Sequence, residues 1–258
     1  MTIRRTLRIY YLESKYEFLK LIRLRAYVIF TLMFPLMFYV FFGLLIGRTA
    51  PAGEMPLAVY LLGTYGAFGI IGVALSGFGV GVAVERGLGW LQVKRASPMP
   101  PMAHLVARLI VCVVFSAMLI GILYAMGVVF AGVRMPATQW VLLTLTLLGG
   151  TIPFCALGLA VGNFANPNSA PALLNALYLP MAFCSGLWIP LQYLPGFVRD
   201  FAPVLPAYHL SQIALSVIHA PAVQGSVLTH WEALTGFTFV FLGIAWLGYR
   251  REQEKMYG

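Results

Sequence analysis

The chain has 258 residues, and those able to do acid–base, nucleophilic or metal chemistry are four histidines, three cysteines and eight carboxylates. Their spacing decides what they can do. His209 and His219 stand ten residues apart with no acid between them, unlike the clustered His and carboxylate ligands of a metal centre. Ser185 and Ser211 are candidate nucleophiles, but neither shares with His104, His209, His219 or His230 a motif spacing that pairs a nucleophile with its base. Cys112, Cys155 and Cys184 fall inside apolar runs, where a thiol behaves as a small hydrophobe, and their spacing fits no metal site. A P-loop, GxxxxGK[ST], is absent. The glycine-rich stretch around Gly77 and Gly81 fails the dinucleotide pattern GxGxxG, because Val82 holds the third glycine position and no strand precedes it. We therefore expect no active site, no resident metal or cofactor, and no means of hydrolysing ATP.

The elements that carry these residues are written in the composition. Hydrophobic residues make up 60% of the chain and charged residues 10%, with a mean hydropathy of +0.86; an ordinary soluble domain has roughly 45–50% and about 25%. So few charges cannot cover a soluble fold of this size. The apolar runs are continuous and near the roughly 20 residues that cross about 30 Å of hydrocarbon, so helices are expected rather than the alternating strands of a barrel. The spacing predicts six spans, over 26–46, 57–84, 105–131, 139–161, 172–189 and 230–249. Glu54, Glu85, Asp200 and Glu232 fall at or beyond the ends of those spans. An ion-driven carrier keeps a titratable or ligating group near mid-membrane, so this pattern argues against one.

A net charge of +9 on a soluble domain would point to nucleic acid, but its placement points to a membrane. Seven of the 17 Lys and Arg lie within the first 25 residues, four between Arg86 and Arg108, and three after Tyr249, while Arg48, Arg134 and Arg199 stand alone in the other loops. That alternation is the positive-inside pattern; with six spans it puts both termini in the cytoplasm of a bacterial inner membrane and leaves no role for nucleic acid. Residues 1–25 form a basic amphipathic helix, with Ile3, Leu7, Tyr10, Tyr11, Phe18, Leu21 and Ile22 at near-helical spacing. It either lies in the cytoplasmic interface of the bilayer or docks on a neighbouring helix. Pro35 should kink the first span, and Gly77 with Gly81, spaced as GxxxG, marks a helix-packing face. Residues 85–104 form an inner loop with a short helix near 88–95. Residues 190–225 hold an apolar piece too short to cross a bilayer, which suits re-entrant helices on the outer side.

In this order the features resemble the ABC-2 type permeases, the membrane subunits of ABC exporters for drugs, antibiotics, lipo-oligosaccharides and polysaccharides. The resemblance covers essentially the whole chain, as one transmembrane domain over 1–258. Glu85, Arg86 and Gly87, continuing through Leu88, Trp90, Lys94, Arg95 and Pro98, resemble the family's ERxxGTLxxLxxSP-like segment, which docks on the ATPase. Trp90 and Gln92 depart from it. Ser185, Gly186 and Pro190, followed by Pro195, Pro206 and Tyr208, are similar to its fifth span and outer hairpin. The resemblance implies a dimeric permease, either two copies or one copy with a homologue. It also implies a separate ATPase subunit coupled through a lever carrying Trp90, Lys94 and Arg95. In the plainer alternative, Arg86, Lys94 and Arg95 only fix topology. The rival classes are a membrane-embedded enzyme and an ion-coupled secondary transporter or channel. Tyr39, Tyr65, Phe68, Tyr124 and Tyr178 are candidates to line a path for an amphipathic molecule or a lipid-linked saccharide.

Overall fold

A computed structural model describes residues 3–46, 55–90, 93, 96, 99–100, 102–221 and 223–257, the side chains of 26, 44–46 and 252–257 aside, and every regular element among them is helical. Helix α1 is Ile3–Arg23. Helix α2 is a run assembled from Arg25–Val28, Ile29–Met33, Phe34–Phe38 and Tyr39–Ile46, the second and fourth pieces wound in wide π turns. Pro35 explains the first of these: its nitrogen has no hydrogen to bond back along the helix, and a wide turn relieves the clash of its ring with the preceding carbonyl. Helix α3, Leu57–Gly87, carries its own wide segment at Leu75–Val80. Helices α4 (Ala103–Ala131) and α5 (Ala137–Phe164) form a hairpin, followed by α6 (Ala170–Cys184).

Two short helices, α7 (Gly196–Phe201) and α8 (Pro206–Val217), lie between α6 and the long last helix α9 (Val227–Tyr257). By length and composition, four helices can cross a membrane among the described residues: Leu57–Gly87, Ala103–Ala131, Ala137–Phe164 and Val227–Arg251. The other two expected spans are shorter. The apolar stretch Ile29–Gly43 lies within the α2 run, which is described to Ile46, and Ala170–Cys184 stops five residues before the expected end at 189. The physical reason for that stop is Gly186, whose φ of +74° lets Gly186 N–H bond Phe183 O and Leu187 N–H bond Ala182 O, closing the helix. His219, with φ +56°, ends α8 by a similar device, Ala220 N–H bonding Leu215 O at 3.0 Å.

Helix α3 is the centre of the bundle. It is apolar on every side and buried along almost its whole length, as a helix surrounded by other helices must be. Contact that close needs small residues. Gly158 and Gly162 of α5 lie against the wide segment of α3: a Cβ on Gly158 would stand 3.0 Å from Gly79 N and 3.2 Å from Ala74 O. On another side, Tyr178 of α6 stacks on Phe68 with centroids 4.8 Å apart and donates its hydroxyl hydrogen to Phe68 O at 2.6 Å. Tyr39, Tyr65 and Phe68 are fully buried in this packing, and Tyr178 nearly so. The outward faces of α2, α4, α5 and α9 expose Phe30, Val114, Leu145 and Phe239 among many large apolar side chains, far beyond the few hundred Å² of apolar patch that a water-facing protein carries.

Gly158→Ala places a methyl group against α3 backbone that cannot give way, and is expected to cost about 1–3 kcal/mol. Gly121→Ala on the open face of α4, with nothing within 4 Å, is expected to cost nothing. Thermal unfolding of the two purified variants checks the difference.

Candidate functional site

Four charges meet where α1, the end of α3 and the start of α4 converge. Arg108 of α4 is 1% exposed, and its Nη2 lies 2.7 Å from Glu85 Oε2 and 3.0 Å from Glu17 Oε1. Lys20 Nζ lies 2.6 Å from Glu85 Oε1 and 3.4 Å from Glu17 Oε2. Among the described residues the two carboxylates are matched by two cations, the condition under which charge can leave water without an uncompensated ion. Lys20, with 45% of its side chain exposed, closes the quartet at the solvent edge.

The sequence builds this site from three helical stripes. On α3, Gly77, Gly81 and Glu85 recur every fourth residue and so share one face. A Cβ on Gly81 would stand 2.7 Å from Arg108 Nη1, and one on Gly77 would stand 2.6 Å from Cys112 Sγ. The glycines therefore open the space that Arg108 and Cys112, themselves one turn apart on α4, occupy. Gly77 O also accepts a hydrogen bond from Arg108 Nη1 at 3.3 Å. On α1, Glu17 and Leu21 are buried one turn apart, and Phe18 packs on Phe115 of α4 with centroids 5.6 Å apart. The first half of α1 leaves Ile3, Leu7 and Tyr11 exposed, and the buried residues Glu17 and Leu21 lie in its second half.

The next two residues continue the anchoring. Arg86 donates from its guanidinium to the carbonyls of Asn163 and Ala165, capping the C-terminal end of α5. Gly87 faces the Pro167 ring so closely that no side chain fits there. Asn163 Nδ2 in turn donates to Ala245 O of α9 at 2.8 Å. Glu85, Arg86 and Gly87 thus bind the end of α3 to α1, α4 and the α5–α6 turn. Immediately beyond, Leu88, Trp90 and Val93 stand 68%, 54% and 61% exposed, with Gly89 at φ +73° making the turn. Lys94, Arg95 and Pro98 lie outside the described residues.

The remaining sequence candidates fall elsewhere. Ser185 is buried, and its carbonyl accepts from Ser211 Oγ at 3.3 Å. Gly186 packs beneath Leu191, while Pro190, Pro195 and Pro206 each stand at the start of a short helix. Tyr208 OH donates to Gln224 Oε1 at 3.3 Å. Sequence spacing gave no hint that His209 and His230, on different helices, meet with Nδ1 atoms 2.9 Å apart. Neither did it reveal that Glu17 of the N-terminal helix and Arg108, near the start of the third expected span, pair in the interior. The Gly77, Gly81, Glu85 stripe was the available signal for the second. No group of three or more His, Cys, Asp or Glu able to hold a metal occurs among the described residues.

A cavity of about 340 Å³ opens between α2, α3 and α6, with Phe30, Phe34 and Tyr178 as its aromatic walls and Thr31, Ser76 and Asn175 as polar points. The family described as ABC-2 type transporter matches residues 10–219 of this chain. Over 245 residues the chain is 26% identical to a Bacillus subtilis (strain 168) protein named "Putative transport permease YvfS", covering 95% of this chain and 98% of that protein.

Arg108→Met takes the buried cation from two buried carboxylates and is expected to destabilise by about 3–5 kcal/mol, whereas Lys20→Met, at the half-exposed rim, leaves both carboxylates on Arg108 and is expected to cost less. Adding Glu85→Gln to Arg108→Met removes one of the two carboxylate charges and should recover part of the loss. Denaturation of the purified variants in lipid nanodiscs measures all three.

Proposed function

Because this chain belongs to the ABC-2 type transporter family, as a multi-pass transport permease, we propose that it is the membrane subunit of an ATP-driven exporter in a bacterial inner membrane. In this reading α2, α3, α4, α5, α6 and α9 are the six spans and both termini are cytoplasmic. The second half of α1 docks on α4 while its basic, apolar first half rests on the inner leaflet. Helices α7 and α8 form the outer re-entrant region.

The observation that carries the reading is the contrast within residues 85–93. Glu85, Arg86 and Gly87 are fastened to three neighbours, and Leu88, Trp90 and Val93 directly after them are exposed. A nucleotide-hydrolysing subunit gripping Leu88 and Trp90 would move a segment that cannot yield alone. Its displacement would pass through the charge quartet to α1 and α4, and through Arg86 to α5 and α9. Neither a P-loop nor a mid-membrane titratable carrier group supplies a power source within the chain, which supports a borrowed one.

Pathway and substrate follow from the cavity. Helix α2 exposes Phe30, Met33, Met37 and Phe41 along one face, and α6 exposes Leu173 and Leu177 beside the same cavity. A second copy, or a homologous permease, seated on these faces would close the cavity into a shared route, as closed symmetric assembly favours. Aromatic walls with three polar points suit an amphipathic small molecule, drug-like or the lipid end of a lipid-linked saccharide.

The permease should co-purify with a P-loop ATPase and support substrate-stimulated ATP hydrolysis. Leu88→Asp with Trp90→Ala is expected to weaken that association about tenfold or more, roughly 1.4 kcal/mol, while thermal unfolding stays unchanged. Transport in vesicles by the permease alone, following an ion gradient and indifferent to ATP, would overturn the assignment.

A further inference from the structure

His209, in the first turn of α8, and His230, in the first turn of α9, are both buried. Each ring has one nitrogen turned outward to a backbone carbonyl: His209 Nε2 lies 2.9 Å from Pro203 O, and His230 Nε2 lies 2.7 Å from Gln224 O. A carbonyl oxygen only accepts, so both Nε2 atoms carry hydrogen, and a neutral imidazole has only one to give. The two inward Nδ1 atoms, 2.9 Å apart, would then face each other as bare lone pairs. That distance is a hydrogen bond only if a proton lies between them.

We propose that His209 and His230 share a single additional proton, and that this proton clasps α8 to α9. With no extra proton the lone pairs repel, and with two, a pair of N–H groups and two positive charges oppose each other at the same distance. The clasp therefore closes in a window of pH and opens on both sides of it. It is independent of the transport assignment.

The surroundings keep the proton count a property of the pair. Tyr208 of α8 is the titratable group against both rings, 5.3 Å from His209 and 5.7 Å from His230, with its hydroxyl committed to Gln224. Phe237 of α9 covers His209 at 6.0 Å. Against α8, α3 presents Gly63 and α5 presents Gly150, and α6 ends at the Ser185 carbonyl. The other ionisable groups of these outer elements, Arg199 and Asp200 of α7, His219 at the end of α8 and Glu232 of α9, make no hydrogen bond or ion pair with the rings among the described residues.

Burial draws the His209 imidazole below its ordinary range; the Pro203 carbonyl works against that, and His230 adds to the lowering. The sign follows. A histidine whose folded value is depressed takes up its proton more readily when released, so the closed form loses stability as pH falls through the ordinary histidine range. On the alkaline side, loss of the shared proton restores the lone-pair repulsion.

The test is hydrogen exchange of α8 amides in the full chain in lipid nanodiscs, corrected for intrinsic exchange. Protection should peak near neutrality and fall severalfold toward acid and toward alkali. In His230→Asn, an amide N–H at the Nδ1 position donates to His209 without titrating, so the profile should flatten with protection retained. A flat wild-type profile, or an unchanged peak in His230→Asn, overturns the proposal. Should that variant not fold, the ¹⁵N spectrum of histidine-labelled wild type decides: two unprotonated Nδ1 atoms at neutral pH overturn the shared proton, and one proton between them upholds it.

Discussion

A guanidinium cannot give up its charge, so Arg108, removed from water, dictates what must surround it. Glu17 and Glu85 reach it from two different helices, and Lys20 adds a second cation to both carboxylates at the rim. Each pairing fixes an element. Helix α1 cannot drift from α4 without taking Glu17 from Arg108, and the end of α3 cannot rotate without carrying Glu85 away from two cations. Gly81 must lack a side chain because Arg108 fills the space one would take. Ion pairs at an exposed surface would hold none of this, being worth little when water can replace either partner. Burial converts the quartet from decoration into a joint.

That joint acts on a bundle whose interior is packed backbone to backbone. In lipid no hydrophobic force draws one apolar helix to another, so close approach and buried hydrogen bonds must hold the bundle. Gly158 and Gly162 bring α5 onto the wide segment of α3, Tyr178 bonds the Phe68 carbonyl, and Asn163 bonds Ala245. The wide turns of α2 and α3 fall beside Pro35 and at Gly77–Gly79, the places where a regular hydrogen-bond ladder is least secure. The bundle thus combines tight contacts at the helix ends with irregular turns within α2 and α3.

Much of this was legible from the chain. Long apolar runs can only be helices in lipid, so the all-helical class and the long helices α3, α4, α5 and α9 follow from hydropathy. Pro35 and the glycines of α3 announce their positions by type. What stayed hidden depends on rotation and on pairing across distance. Arg108, near the inner end of the third expected span, counted only toward the positive-inside pattern, because a positive charge near a helix end satisfies topology and pairing equally well. Arg86 had the same ambiguity, and only the carbonyls of Asn163 and Ala165 give it a capping role. Gly158 and Gly162 show the same GxxxG spacing as Gly77 and Gly81 and could have been read beside them. Helix α6 ends at Cys184 although Leu187, Trp188 and Ile189 are as apolar as the helix before them, because the stop resides in the conformation of Gly186. His209 and His230 carried no signal, since 21 residues and a loop separate two rings that meet only when α8 folds beneath α9.

The histidine pair touches the first turn of α9, and the anchoring of Glu85 and Arg86 reaches the same helix farther along, through Asn163. Residue 245, bonded to Asn163 beside Arg86, lies about 22 Å along the helix from residue 230 at 1.5 Å per residue. Around Glu85 the buried polar groups are ion pairs; at the histidine pair they are imidazoles whose balance is set by protons. Ion pairs hold one joint without a shared proton, which in the proposed function suits an element that transmits force. In the proposed clasp imidazoles hold α8 only while a proton lies between them. On these two proposals the chain divides rigidity and release between two joints through the choice of ionisable group.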